Sequence, residues 1–202
     1  MPLYATTVVM PYRLEERDEA PIFTCQVDSA ASNPQVALST AKLLTRINAT
    51  LQHGREPLRI LTERAQIGNP THTIEGPYIY LFTHGDRIPQ LSFPRRIGDQ
   101  ASTELEQTLA GFDPALLHGA VMDCAQLSYI NTQGLTAFVA HAKRCGLQLC
   151  RLPPPLRKVM DIVGLGRLMT LHDDLRSALH AILDAVREQR TRLDEHGFQR
   201  RL

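Results

Sequence analysis

The stretch Met122-Asp123-Cys124-Ala125-Gln126-Leu127-Ser128-Tyr129-Ile130-Asn131-Thr132-Gln133-Gly134-Leu135 offers the most specific chemistry in the chain. An apolar strand runs through a short loop into a helix. Asn131 suits the N-cap, because its side-chain oxygen can accept a hydrogen bond from a free amide of the first turn. Thr132 then stands at the exposed start of the helix. Taken alone, Asn131 and Thr132 do no more than cap it.

Other reactive residues form weaker patterns. His53, His72, His84, His118, His141, His172, His180 and His196 include no pair at a helical spacing of four, and no metal site follows from them. Cys25, Cys124, Cys145 and Cys150 match neither a zinc knuckle nor a redox pair and read as reduced core thiols. His141 and Cys145 could face one another across a helical turn, the minimum for a thiolate and its base, but no third group orients them and no oxyanion site is evident. There is no phosphate-binding glycine loop, and Gly164-Leu165-Gly166 reads as a helix terminator and turn. Asn48-Ala49-Thr50 fits the glycosylation pattern by coincidence. These residues predict no catalytic group, no metal and no cofactor.

The elements that position Asn131 and Thr132 emerge from periodicity. Residues 5–10 and 22–27 read as strands, 34–54 as a helix opened by Pro34, and 58–67 as a strand with helix-favouring residues. Residues 78–83 form a compact apolar strand closed by His84-Gly85-Asp86, the expected domain boundary. Pro89 and Pro94 make 88–97 an edge strand. Helix and strand then alternate: a helix from Ser102 to about 117, a strand at 120–124, a helix at 132–145, a strand at 147–152, a helix at 155–163, a brief strand at 168–171 and a last helix from about 173. Such alternation predicts an α/β fold, a sheet of about four to five strands packed by helices, with an additional α/β amino-terminal region. The expected units are 1–86, 87–187 and a charged helical or disordered tail at 188–202.

Composition narrows the partners. The 202 residues are 43% hydrophobic and 21% charged, ordinary for a globular chain, and the net charge of +1 supplies no field to attract nucleic acid or anionic lipid. No apolar run is long enough to span a membrane and Met1 to Met10 lacks the features of a signal peptide, so the expectation is a cytoplasmic protein without membrane insertion.

The order of elements over residues 87–183 resembles the STAS domain, the α/β module of bacterial anti-sigma-factor antagonists. In that family a strand ends in Asp-Ser-Ser-Gly or Asp-Ser-Thr-Gly, and the first hydroxyl residue after the Asp is phosphorylated. The resemblance places Asn131 at the Asp position, Thr132 at the phosphoacceptor and Gly134 at the glycine. Leu127-Ser128-Tyr129-Ile130 fits the preceding pattern, Val163-Gly164-Leu165 the Gly-Leu turn after a short helix, and Asp174 to Leu179 the start of the final helix. Asn131 keeps the capping geometry without the carboxylate; Thr132 keeps the hydroxyl and adds a methyl. The resemblance implies a non-enzymatic module that binds an anti-sigma factor or serine/threonine-kinase-like protein through Asn131, Thr132, Gln133 and Gly134. The other reading it implies is a structural subunit of a stressosome-like or lipid-transport ATPase complex, with a homo-oligomer left open. Residues 1–86 would then be a sensor, a dimerisation domain or a degenerate second STAS domain.

Overall fold

The computed structural model describes residues 2–11, 22–53, 61–67, 76–83, 90–111 and 117–199. Along the chain these form β1 (Leu3–Pro11), β2 (Ile22–Ala30), α1 (Pro34–His53), β3 (Leu61–Ile67), β4 (Tyr78–Thr83), β5 (Gln90–Ser92), β6 (Arg96–Ile97), α2 (Asp99–Ala110) and β7 (Leu117–Asp123). Then follow β8 (Tyr129–Ile130), α3 (Thr132–Cys145), β9 (Leu147–Cys150), α4 (Pro154–Ile162), a 3-10 turn at Leu165–Arg167, β10 (Leu171–His172) and α5 (Leu175–Gln199).

Local chemistry explains where the helices begin and end. The Asn33 side chain accepts from the Val36 amide at 3.0 Å and Pro34 supplies a preset φ at the first position of α1. Asn131 caps α3, and Gly146, at φ 63°, ends it in the left-handed conformation that glycine adopts without penalty. Pro154 and Pro155 occupy the start of α4, where a missing N–H costs nothing.

Strand β4 shows why the main sheet needs helices on both sides. Ile79 and Leu81 point to one face and Tyr78, Tyr80 and Phe82 to the other, and all are buried. The five-stranded sheet has the order β10-β9-β7-β4-β5, with β10, β9 and β7 parallel and β4 antiparallel to both neighbours. On one face Ile79, Leu81, Ala120, Met122 and Leu149 pack against Leu105 and Leu109 of α2 and Phe138 of α3. On the other, Tyr80, Phe82 and Val121 meet Leu44, Ile47 and Leu51 of α1 and Leu179, Ile182 and Leu183 of α5. This is an α/β fold with a mixed sheet packed by helices. A second, antiparallel sheet of order β2-β1-β3 covers α1, with Tyr4, Thr6 and Val8 buried on one strand.

Several boundaries differ from those expected. Residues 88–97 divide at Pro94 into β5, an edge of the main sheet, and β6, which pairs instead with β8; residues 88 and 89 lie outside the described residues. Helix α2 starts at Asp99 rather than Ser102, because the Gly98 carbonyl already accepts the Ser102 amide at 2.8 Å. The brief strand expected at 168–171 is β10, shifted to Leu171–His172 behind the 3-10 turn. The turn at 84–86 lies outside the described residues, but β4 before it hydrogen-bonds to both β5 and β7 after it. Helix α5 continues into the charged tail as far as Gln199.

Candidate functional site

The loop between β7 and α3 is fixed at both ends. At the β7 end Asp123, with 1% of its side chain exposed, receives a fork of hydrogen bonds from Arg151. Arg151 Nε donates to Asp123 Oδ1 at 2.9 Å and its Nη2 to Oδ2. The Asp123 carboxylate also accepts from the Ala125 amide at 3.2 Å, which begins the turn. Arg151 itself has φ 53°, an unusual conformation for a residue with a Cβ, and this kink follows the last residue of β9, the strand paired with β7.

Further along, the loop is laced to the segment that leads into α2. The Ser128 amide and hydroxyl both donate to the Arg95 carbonyl, at 2.8 and 3.1 Å. β6 and β8 pair in parallel, and the Asn131 amide donates to the Ile97 carbonyl at 3.0 Å. The Arg96 guanidinium lies 4.6 Å from the Tyr129 ring centroid, a cation–π contact on the surface. As a result α2 and α3 start side by side.

Asn131 joins the two helix starts. Its Oδ1 accepts from the Gly134 amide at 2.8 Å and from the Ser102 hydroxyl at 2.7 Å, while its Nδ2 donates to Asp99 Oδ1 at 2.6 Å. A carboxylate only accepts and a backbone amide only donates, so these partners fix which way the Asn131 amide points. Gln133 Nε2 adds a bond of 3.3 Å to Thr103 Oγ1. Thr132 and Gln133 are exposed, whereas Gly134 is buried. A Cβ on Gly134 would come within 2.7 Å of Ile130 Cγ1 and 3.0 Å of Ile97 Cγ2, so the close approach of α3 to the β6–β8 pair depends on glycine here. The four residues singled out in the sequence thus share one helix start, with Thr132 outermost. Asp99 and Ser102 complete the arrangement, and because they contact Asn131 only through the tertiary fold, the sequence pattern shows Ser102 as a helix start and gives no sign of Asp99.

A family model for the STAS domain matches residues 38–178, more than half of the chain. The chain belongs to the STAS domain family. The match begins inside α1, well before residue 87, and so takes in β4, in keeping with the packing of α1 and β4 against α5. No curated protein and no solved structure matches the chain. Membership makes this STAS chain a regulatory or binding module in the general sense, in a family whose domains are generally non-catalytic. Among the described residues no helix is long and apolar enough to cross a membrane.

Among the other described reactive side chains of the STAS chain, those of Cys124, Cys150 and His141 are buried in its core. Cys124 and Cys150 are buried free thiols, and burial, aided by the nearby Asp123 carboxylate, pushes both well above the ordinary thiol range. They stay neutral and unreactive. Among the described residues no three His, Cys, Asp or Glu side chains gather as metal ligands would. The Cys145 side chain lies outside the described residues. Its suggested partner His141 is 3% exposed, and burial, then Arg144, lower its pKa against a smaller opposing pull from Glu106. His172, whose Nε2 lies 2.7 Å from Gln148 Oε1, is also lowered by burial, against Asp174 and Asp173.

A pH dependence follows from these two groups. In the folded chain each imidazole binds its proton less tightly than in the unfolded chain, where the value is about 6.5. The unfolded state therefore takes up more protons on acidification, and stability falls as pH drops below about 6.5 and stays level above it. Thermal unfolding followed from pH 8 to pH 5.5 should show the midpoint decline only in the acid half. The double variant His141→Gln/His172→Gln should flatten that decline; an unchanged slope would assign it to other groups.

Proposed function

We propose that this STAS chain is a non-enzymatic, anti-sigma-factor-antagonist-like module of the bacterial cytoplasm. It binds an anti-sigma factor of serine/threonine-kinase-like fold through the surface around Asn131, Thr132, Gln133 and Gly134, and phosphorylation of the Thr132 hydroxyl switches that binding. The observation that carries the reading is the exposed Thr132 at the first position of α3, next to a cap residue whose side chain makes three hydrogen bonds. A helix start held by these bonds presents the hydroxyl in one place, and the positive end of the helix dipole draws the added charge. The same charge placed under a docked partner lacks compensation, so modification releases the partner.

The test is incubation of the purified chain with its partner kinase and ATP, followed by peptide mass spectrometry and a binding assay. The expected result is a single phosphate on Thr132, partner binding kept by Thr132→Ala, and at least tenfold weaker binding by Thr132→Glu, the effect of about 1.4 kcal/mol. A phosphate on another residue, or none, removes Thr132 from this role.

The alternative, a structural subunit of a stressosome-like or lipid-transport ATPase complex, draws on a different surface. Val159, Ile162, Val163 and Leu168 form an exposed apolar group at the end of α4, with Ile162 83% exposed. Size determination and copurification separate the two readings: a large assembly or a copurifying ATPase favours the subunit, and a lone monomer or dimer favours the antagonist.

A further inference from the structure

We infer that a negative charge on Thr132 is read within this chain by Asp99, and that it loosens the junction between α2 and α3. The inference rests on the reading of Thr132 as a modified residue and extends it, because the response begins before any partner is present.

The site holds a carboxylate, but on the neighbouring helix. Asp99 is the first residue of α2, and its Oδ1 lies 2.6 Å from Asn131 Nδ2, on the residue directly preceding Thr132. The first turn of α3 contains no acid of its own. Side-chain bonds between the helix starts are Asp99 with Asn131, Ser102 with Asn131, and Gln133 with Thr103. The first and last of these are exposed, so water competes for them, and Gly98 gives α2 no side-chain cap in reserve. A phosphate on Thr132 acts on this junction in two ways. Thr132 directly follows Asn131, the hydrogen-bond partner of Asp99, and like charges closer than a Debye length of about 8 Å repel. The phosphate oxygens also compete with Asp99 for the N–H donors of Asn131. Both effects favour an Asn131 amide turned away from α2.

The positive ends of α2 and α3 pull the other way, since each favours an added anion nearby. A thermodynamic cycle separates the two contributions. Asp99→Asn keeps the shape and removes the like charge, leaving only the favourable dipoles. Arg96, Arg95 and Glu104 are common to every member of the cycle and cancel.

The experiment uses the purified full chain in four forms: Thr132→Glu and Thr132→Gln, each with Asp99 and with Asp99→Asn. Thermal unfolding and amide hydrogen exchange are measured at low salt and at 1 M NaCl. With Asp99 present, Thr132→Glu should melt about 2–4 °C below Thr132→Gln, the shift that about 1 kcal/mol produces in a chain of this size. Amides of residues 100–103 should exchange several-fold faster in that variant alone. With Asp99→Asn, Thr132→Glu should melt at or above Thr132→Gln, and 1 M salt should shrink the difference between backgrounds. A Glu-to-Gln difference of the same size in both backgrounds overturns the inference. No kinase enters the measurement: missing coupling would refute the reader role of Asp99 alone, and a missing phosphate on Thr132 would refute the switch alone.

Discussion

Arg151→Met lowers the midpoint of thermal unfolding by about 6–12 °C, the equivalent of roughly 3 kcal/mol, and Asp123→Asn lowers it by distinctly less. The asymmetry comes from burial. The Asp123 side chain is 1% exposed and Arg151 26%. When Arg151 is lost, a carboxylate that no water reaches keeps only the Ala125 amide as a partner at 3.2 Å. When Asp123 becomes Asn, the guanidinium still reaches solvent and still finds an amide oxygen to donate to. Methionine retains the apolar stem, so the loss reports the charge and not a cavity. Lysine recovers little, because a single ammonium cannot reproduce the fork of two bonds on Asp123. Equal losses for Arg151→Met and Asp123→Asn, by calorimetry or chemical unfolding, would show that the pair is exposed enough to be replaced by water. The ion pair also bears on the site. It joins the ends of β7 and β9, and the loop that leaves β7 at Asp123 carries Asn131 and Thr132.

Much of this architecture is legible in the sequence because it is local. The strand at Tyr78–Thr83 and the helix at Thr132–Cys145 have the bounds that the residue pattern predicts. Pattern and cap agree there: a short apolar run stands alone, and Asn131 and Gly146 bracket the helix. The start of α2 was harder to read. Ser102-Thr103-Glu104 has the look of a capping segment, yet Ser102 is fully buried inside the helix with its hydroxyl turned to Asn131. A serine that satisfies a neighbouring element looks the same in sequence as one that caps its own helix.

Pairing across the chain was the other hidden quantity. The grouping of β4 with β5, β7 and β9 depends on which faces are covered, and that depends on α1 and α5, well over a hundred residues apart, meeting on one side of the sheet. Arg151 shows the same limit. Its left-handed φ and its fork on Asp123 come from the adjacency of β7 and β9, and neither residue stands out in a chain of mixed charge. By contrast the order strand, loop, capped helix is a local property, and with the elements that follow it in order it carries the resemblance to the STAS domain, which the family match over residues 38–178 shows. The position of Thr132 at a helix start is therefore visible in the local pattern, whereas Asp99 joins it only through the tertiary fold.

Asn131→Asp, which places an acid where the family pattern has one, should destabilise this chain by about 1–2 kcal/mol. The substitution keeps an oxygen for the Gly134 amide and the Ser102 hydroxyl, so the cap survives. It removes the N–H that Asp99 accepts and leaves two carboxylates in the space of a 2.6 Å hydrogen bond. Both groups are at least partly reached by solvent, which keeps the penalty well below that of a buried like-charge pair. The exchanged pair Asp99→Asn/Asn131→Asp restores one acid and one amide across the same gap and should recover most of the stability. Asn131→Ala cannot be rescued in this way, since it abandons the cap, worth about 1 kcal/mol, and leaves the buried Ser102 hydroxyl without its acceptor. Unfolding free energies for the three variants, with salt added to reduce the Asn131→Asp penalty alone, check the argument. If Asn131→Asp is as stable as the parent, Asp99 is not held against Asn131 in solution. If it is destabilised and the exchange restores it, the carboxylate of this STAS site has moved from the loop before α3 to the start of α2.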